Sequence, residues 1–246
     1  MNTRDKIVAA LEASKGDYIS GEELAESIGV SRNSIWKAIK TLKEQGYNIE
    51  AVTNKGYKLS VESDIISGQG ISIHLKDKSL ADCIEIYEEL GSTNDLARKY
   101  LFIEASHKTD GSDKRCHIII AREQTGGRGH NKSTFASPKG GIYMSIVLPA
   151  ENISADSVSG HVGESVKKAV KDMTGIEPVS EKNNAIYMDD EKICGILTEV
   201  LSDYETGSIS DYIIGIGIRY EILEGKSDKS EVTRNKLIAE IINRIL

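Results

Sequence analysis

Apolar residues in the first part of the chain recur at helical spacing. Ile7, Val8, Ala10 and Leu11 mark one side of a first helix, which glycine ends near Lys15-Gly16. Ser20-Gly21-Glu22-Glu23 has the Ser-x-x-Glu form of a capping box, and Leu24, Ala25 and Ile28 supply the buried face of a second helix that Gly29 breaks. Ser31 can cap a third helix running to about Gln45, with Ile35, Ala38, Ile39 and Leu42 on one side and Arg32, Asn33, Lys37, Lys40 and Thr41 on the other. Trp36, at helical spacing within this stretch, reads as a core residue. Tyr47 to Thr53, the turn Asn54-Lys55-Gly56, and Tyr57 to Leu59 then read as two short strands of a hairpin.

Two short helices around a glycine turn, followed by a hairpin, predict a winged helix-turn-helix. Polar and basic groups at the start of the second helix of such a pair can reach base edges and phosphates. The candidate DNA-binding residues are Ser31, Arg32, Asn33, Ser34, Lys37, Lys40 and Thr41 on that helix, with Lys55 and Lys58 on the wing. The net charge of −7 hides a local excess of cations: residues 31–60 carry six Lys/Arg against two Glu. The alternative is a solvated three-helix scaffold.

Beyond the hairpin the pattern changes. Ser60 to Gly70 is polar with two glycines and reads as a linker, so the chain divides into a winged domain at 1–62, a linker at 63–72 and a second domain at 73–246. That domain reads as strand (Ile84–Leu90), helix (about Thr93–Ala105), strand (His117–Glu123), a glycine-rich loop, strand (Ile142–Leu148) and a long helix (about Ala155–Met173). Further strands follow, then a closing helix from about Val232 to Leu246. The fold class is α+β with a mixed sheet.

Composition narrows the chemistry. No apolar run approaches the ~18 residues of a membrane span, and Met1-Asn2-Thr3-Arg4-Asp5 does not open a signal peptide, so a cytoplasmic location is expected. Cys83, Cys116 and Cys194 form no Cys-x-x-Cys pair and read as reduced thiols without a structural disulfide. The five histidines have no metal-ligand spacing, and no metal site is expected.

Gln124-Thr125-Gly126-Gly127-Arg128-Gly129 lies between two predicted strands, where backbone N–H groups and a permanent cation can meet an anion. It is neither a Walker A loop nor a dinucleotide fingerprint, and a plain flexible loop is the other reading. Its neighbours are more specific. Gly91-Ser92-Thr93-Asn94, this loop, Ser137-Pro138-Lys139-Gly140-Gly141-Ile142-Tyr143-Met144-Ser145, Lys192-Ile193-Cys194-Gly195-Ile196-Leu197-Thr198-Glu199 and Gly215-Ile216-Gly217-Ile218 occur in that order. Together they resemble biotin protein ligases. With the winged helix-turn-helix, the whole chain resembles the bifunctional BirA type, which is both biotin ligase and biotin operon repressor.

The resemblance implies a class II synthetase-like domain that joins biotin to ATP and passes it to a lysine of a carrier domain. It also implies operator binding as a homodimer promoted by the adenylate. By motif, Ser92, Thr93, Asn94 and Gln124 would hydrogen-bond the biotin ring, and Gly127, Arg128 and Gly129 would wrap its carboxylate. Lys192 would reach the reacting oxygens, as the catalytic residue together with Arg128 if the ligase is active, and Gly195 and Leu197 would complete the biotin set. A helix cap at Ser92 and Thr93 and a surface lysine at Lys192 are the plainer alternatives.

The chain departs from the family pattern on the nucleotide side. The usual arginine-rich loop reads Gly127-Arg128-Gly129-His130-Asn131-Lys132-Ser133-Thr134-Phe135, with His130 replacing a permanent cation. The Lys-Trp-Pro-Asn-Asp segment, which serves nucleotide and Mg²⁺, becomes Glu181-Lys182-Asn183-Asn184-Ala185, and the asparagine after Gly-Ile-Gly-Ile is Arg219. A carboxylate at Glu181 would repel a triphosphate, and Ala185 cannot bind a metal. The sequence stops at Leu246, short of the family's SH3-like C-terminal domain. The expectation is a biotin-responsive repressor with weak or absent ligase activity. An active biotin ligase that also represses, using ATP, Mg²⁺ and a carrier domain, and a sensor of another small carboxylate are the alternatives.

Overall fold

The computed structural model describes residues 2–106, 116–150, 154–181, 185–202, 207–226 and 233–246. It contains two compact units, Met1–Ala81 with Ser230–Ala239, and Asp82–Lys229 with Glu240–Leu246.

In the first unit α1 (Thr3–Ala13), α2 (Gly21–Ile28) and α3 (Arg32–Glu44) are each opened by a side-chain cap. Asn2 and Asp5 form a reciprocal capping box on α1, which the sequence reading did not anticipate. On α2 the Ser20 hydroxyl accepts from Glu23 N at 3.0 Å, and left-handed Gly29 ends the helix. Ser31 does the same for α3 through Ser34 N. Ile7, Val8 and Leu11 of α1, Leu24 and Ala25 of α2, and Ile35, Ala38, Ile39 and Leu42 of α3 meet in one core.

The wing is β1 (Ile49–Val52) paired antiparallel with β2 (Gly56–Leu59), and Leu59 closes the base of the core. A third segment stiffens it: Ile19 and Tyr57 exchange both backbone hydrogen bonds at 2.9 Å. That approach leaves room only for glycine at 56, where φ is +106° and a Cβ would lie 2.1 Å from the Ile19 carbonyl.

Three expectations are corrected in these regions. Residues 63–72 are not a free linker. Ser63, Ile66, Ser67 and Ile71 are buried, and α4 (Gly68–Ser72) forms within the segment. The reason is a polar anchor from the C-terminal part of the chain. Arg234 N and Nε donate to the Asp64 carboxylate at 2.8 and 2.9 Å, while the Asn235 amide accepts from Ser67 N and donates to the Ile65 carbonyl. The same Asn235 reaches Glu12, whose carboxyl is pushed up chiefly by burial. Secondly, Trp36 is not core: it is 54% exposed on the outer face of α3. Thirdly, Cys83 and Cys116 are joined by a disulfide, with Cα atoms 5.4 Å apart. Pairing of β3 (Ile84–Tyr87) with β4 (Ile118–Ala121) brings them together, since Ile84 and Ile118 are register partners just beyond them. Cys194 alone is a free thiol, buried and pushed up to about 12 by desolvation.

The second unit continues from β3 through α5 (Thr93–Ser106), β4 (Ile118–Ala121), β5 (Ile142–Pro149) and α6 (Ala155–Thr174). β6 (Val179–Glu181), β7 (Ala185–Met188), β8 (Glu191–Ser202), β9 (Ile209–Ile218), α7 (Tyr220–Lys226) and α8 (Arg234–Ile245) complete it, the first half of α8 belonging to the other unit. Among the described residues one sheet has the order β3-β4-β5-β9-β8-β7-β6, parallel at β3-β4 and antiparallel elsewhere. This is a mixed α+β architecture. Ala97 and Leu101 of α5 pack on Ile119, Val147 and Ile213 of one sheet face. Ser159 of α6 bonds Thr198, which alternation places on the opposite face from Leu197 and Glu199. No helix among the described residues is long and apolar enough to cross a membrane.

Candidate functional site

A cleft of about 350 Å³ opens over the sheet at the N-terminal end of α5. Strand register explains its floor. Tyr143, Gly217, Gly195 and Ala185 are successive neighbours across β5, β9, β8 and β7, and Ser145, Gly215 and Leu197 form the next row. Three of these positions are glycine, so the sheet surface is bare where its neighbours carry side chains. A Cβ at 215 would stand 2.5 Å from Asn94 Oδ1, and Cβ atoms at 195 and 217 would stand 2.8 and 2.4 Å from the Phe135 ring.

At one end of the cleft, neutral polar side chains close on each other. Ser92, Thr93, Asn94 and Ser145 are all at least nine-tenths buried. Gln124 Oε1 accepts from Thr93 N at 2.8 Å, satisfying an otherwise free amide at the start of α5, and its Nε2 donates to Ser137 Oγ at 3.0 Å. Ser145 Oγ lies 2.7 Å from Thr93 Oγ1 and 2.5 Å from Asn94 Oδ1, and Asn94 Nδ2 donates to Glu199 at 2.8 Å. Thr93, Asn94, Gln124 and Ser145 are each fixed by two partners, which presents donors and acceptors in a defined order to whatever enters.

Beside this cluster, joined to it through Glu199, the side chains are charged and more exposed. Arg128 pairs with Asp95 in the first turn of α5 and lies 4.0 Å from Glu199. Arg98 bridges the same two carboxylates at 2.8 and 2.7 Å. Lys192 enters from β8 at a β-bulge, where Tyr187 opposes Lys192 while Ile186 opposes Cys194; its ammonium lies 5.7 Å from the centre of the Phe135 ring.

Ser92, Thr93, Asn94, Gln124, Arg128, Gly129, Lys192, Gly195 and Leu197 therefore line one cleft, as do His130, Phe135 and Ala185. Gly127 lies beneath it, a Cβ there meeting the Phe135 carbonyl at 2.4 Å. Arg219 does not line the cleft; its N–H donates to the Ile193 carbonyl and its residue is exposed. The side chain of Glu181 and all of Asn184 lie outside the described residues. Asp95, Arg98, Ser145 and Glu199 were not assigned to the site from sequence. Asp95 and Arg98 carried one signal, the i to i+3 spacing that puts them on one helix face.

On the first unit, Arg32, Asn33, Lys37 and Lys40 are exposed along α3. Arg32 pairs with Glu22 at 2.5 Å, both side chains largely exposed. Ser31 and Ser34 are engaged in capping, and Thr41 Oγ1 donates to the Lys37 carbonyl. Lys55 is exposed on the wing with its ammonium 5.6 Å from the centre of the Tyr18 ring, and Lys58 lies over the same ring and pairs with Glu50 at 3.0 Å.

The helix-turn-helix unit matches an HTH domain model over residues 3–58. The cleft-bearing unit matches the model of the biotin/lipoate A/B protein ligase family over residues 91–218, more than half the chain. The chain belongs to that family. It is 28% identical over 220 residues to the bifunctional ligase/repressor BirA of Bacillus subtilis, a match covering 87% of this chain and 64% of the relative. With the protein of the same name from Escherichia coli it shares 31%, over 87% of this chain and 62% of the relative. The chain thus spans less than two thirds of the length of either relative. Among solved structures, the family fold recurs in the biotin protein ligase of Aquifex aeolicus in complex with biotin and ATP. Its TM-score is 0.50 at 23% identity, over 66% of this chain and 68% of that one. The biotin protein ligase of Leishmania major in complex with biotinyl-5-AMP gives the same TM-score and identity, over 66% and 72%.

Proposed function

We propose that this chain is a biotin-responsive transcriptional repressor, acting in the cytoplasm as a homodimer on a palindromic operator, in which ligase activity is weak or lost. α3 supplies the operator contacts through Arg32, Asn33, Lys37 and Lys40 with Lys55 of the wing, while the cleft takes the biotin. A ureido ring needs donors and acceptors in pairs, and the Ser92, Thr93, Asn94 and Gln124 end of the cleft offers them already oriented. Arg128 and Lys192 would face the biotin carboxylate.

The observation that carries the repressor reading is the charge distribution beside that cluster. Two carboxylates, Asp95 and Glu199, stand against Arg128, so its charge is already opposed before any anion arrives. The further cleft residues include His130, Phe135, Ala185 and Lys192. Among the described lining residues none is a carboxylate for Mg²⁺, and the cations are Lys192 and an Arg128 already paired with Asp95, a poor match to ATP with its metal. A monocarboxylate fits it better than a polyphosphate does.

The relatives named ligase/repressor keep a second reading in play, supported here by Lys192 at the bulge. It is an active ligase that joins biotin to ATP and transfers it to a carrier lysine. Incubation with biotin, ATP-Mg²⁺ and an acceptor carrier domain, followed by intact-mass measurement, separates the two. The repressor reading expects no biotin increment at catalytic protein concentration; a stoichiometric increment overturns it. Failure to bind biotin at millimolar concentration would instead favour another small carboxylate.

A further inference from the structure

Trp36 is the single tryptophan of the chain, and it stands 54% exposed on α3 while Ile35, Ile39 and Leu42 of the same helix are buried. No other large apolar side chain of α3 is exposed. Its neighbours at helical spacing are Arg32 and Asn33 one turn before and Lys40 one turn after, all exposed, with Lys37 adjacent. An indole isolated among cations on an otherwise polar helix face is poorly placed to join an apolar protein interface, which needs a contiguous patch. It is well placed for a surface that is anionic at its edges and apolar at its centre. The major groove of DNA has that form, with phosphates along both rims and the thymine C5-methyl groups projecting between them.

We propose that Trp36 reads sequence in the major groove, its indole packing against a thymine methyl while Lys37 and Lys40 lie toward the flanking phosphates. The inference rests on the DNA-binding reading of α3 and adds to it a specificity-determining residue. Arg32 and Asn33 lie in the first turn of the helix and Trp36 opens the second, the part of a recognition helix that meets base edges.

The test uses the full chain. A duplex is first selected from a random-sequence pool by repeated binding, with and without biotin. Because the chain has one tryptophan, its intrinsic emission reports α3 alone, and binding of the selected duplex should shift and quench it. Each thymine of that duplex is then replaced in turn by uracil, which removes the methyl and leaves the hydrogen-bonding edge intact. At one or two positions the wild-type protein should lose about fourfold in affinity, the worth of one buried methyl group. Trp36→Ala should weaken the selected duplex about tenfold, leave binding to poly(dI-dC) unchanged and abolish the uracil effect. Trp36→Phe should retain part of the effect.

If every uracil duplex binds the wild type as well as its thymine parent, the proposal fails, and this result needs no variant to fold. It fails equally if Trp36→Ala weakens selected and non-specific DNA alike, or if its effect falls on the oligomeric state and leaves sequence preference intact. If no duplex is enriched under either condition, the DNA-binding reading itself is overturned, an outcome distinct from losing only the role of Trp36.

Discussion

Two neighbouring groups of side chains at the cleft are built on opposite principles. Around Thr93, Asn94 and Ser145 the side chains are buried, neutral and tied to one another, so recognition there is a matter of geometry. Around Arg128 they are exposed and charged, and partners can be exchanged at little cost. The contrast teaches that the site is rigid where it would discriminate a ring and adaptable where it would meet a charge. Mutations in the two groups should therefore fail in different ways.

The largest effect should come from Gly215→Ala, whose new Cβ is driven into Asn94 Oδ1 within the closed network. Calorimetry with biotin should show at least about a hundredfold loss, since several buried hydrogen bonds shift together. Gly217→Ala meets the ring of half-buried Phe135, which can swing aside. A loss nearer about tenfold is expected, and equal losses for the two variants would break the comparison. Next is Ser145→Ala, which removes a fully buried donor shared by Thr93 and Asn94 and should lower unfolding stability in urea by about 1–3 kcal/mol.

The same contrast between buried and exposed groups recurs at Glu12 in the first unit. Burial raises its carboxyl above the ordinary glutamate range, so the folded chain holds that proton more tightly than the unfolded one. Stability from this group is fully present below the unfolded value and is lost as pH rises through the folded one. Glu12→Gln should therefore melt higher than wild type at neutral pH, and the difference should close as pH falls toward 4.5.

The smallest change in stability is expected from Asp95→Asn, because the Arg128 pair is solvated: under about 1 kcal/mol. The same variant should strengthen binding of the biotin carboxylate severalfold by releasing Arg128, and the gain should shrink in high salt. Unchanged affinity at low salt would show that Asp95 does not compete for the guanidinium.

Much of this was legible in the sequence because it rests on local rules. The caps at Ser20 and Ser31, the glycine stop at 29 and the wing turn at Gly56 are each written in a few adjacent residues. The ordered motifs also gathered most of the cleft lining, since they lie on strands whose register joins them. What escaped depends on distant partners. Cys83 and Cys116 are 33 positions apart, and only the parallel pairing of β3 with β4 makes them neighbours. Residues 63–72 look like a linker until Arg234 and Asn235 supply the groups that bind Asp64 and Ser67. Asp95 and Glu199 reach Arg128 of the cleft through packing of α5 on the sheet. Trp36 is a different case: the apolar stripe Ile35, Ala38, Ile39 and Leu42 leaves position 36 about 100° away around the helix, so its angle places it outside the core.

The central claim is that the cleft senses biotin without consuming ATP, and titration calorimetry tests it most directly. Biotin alone should bind the full chain at one molecule per protomer, with an affinity that ATP-Mg²⁺ leaves unchanged. Binding that is absent without ATP-Mg²⁺ and accompanied by pyrophosphate release in its presence would contradict the account and identify a working ligase.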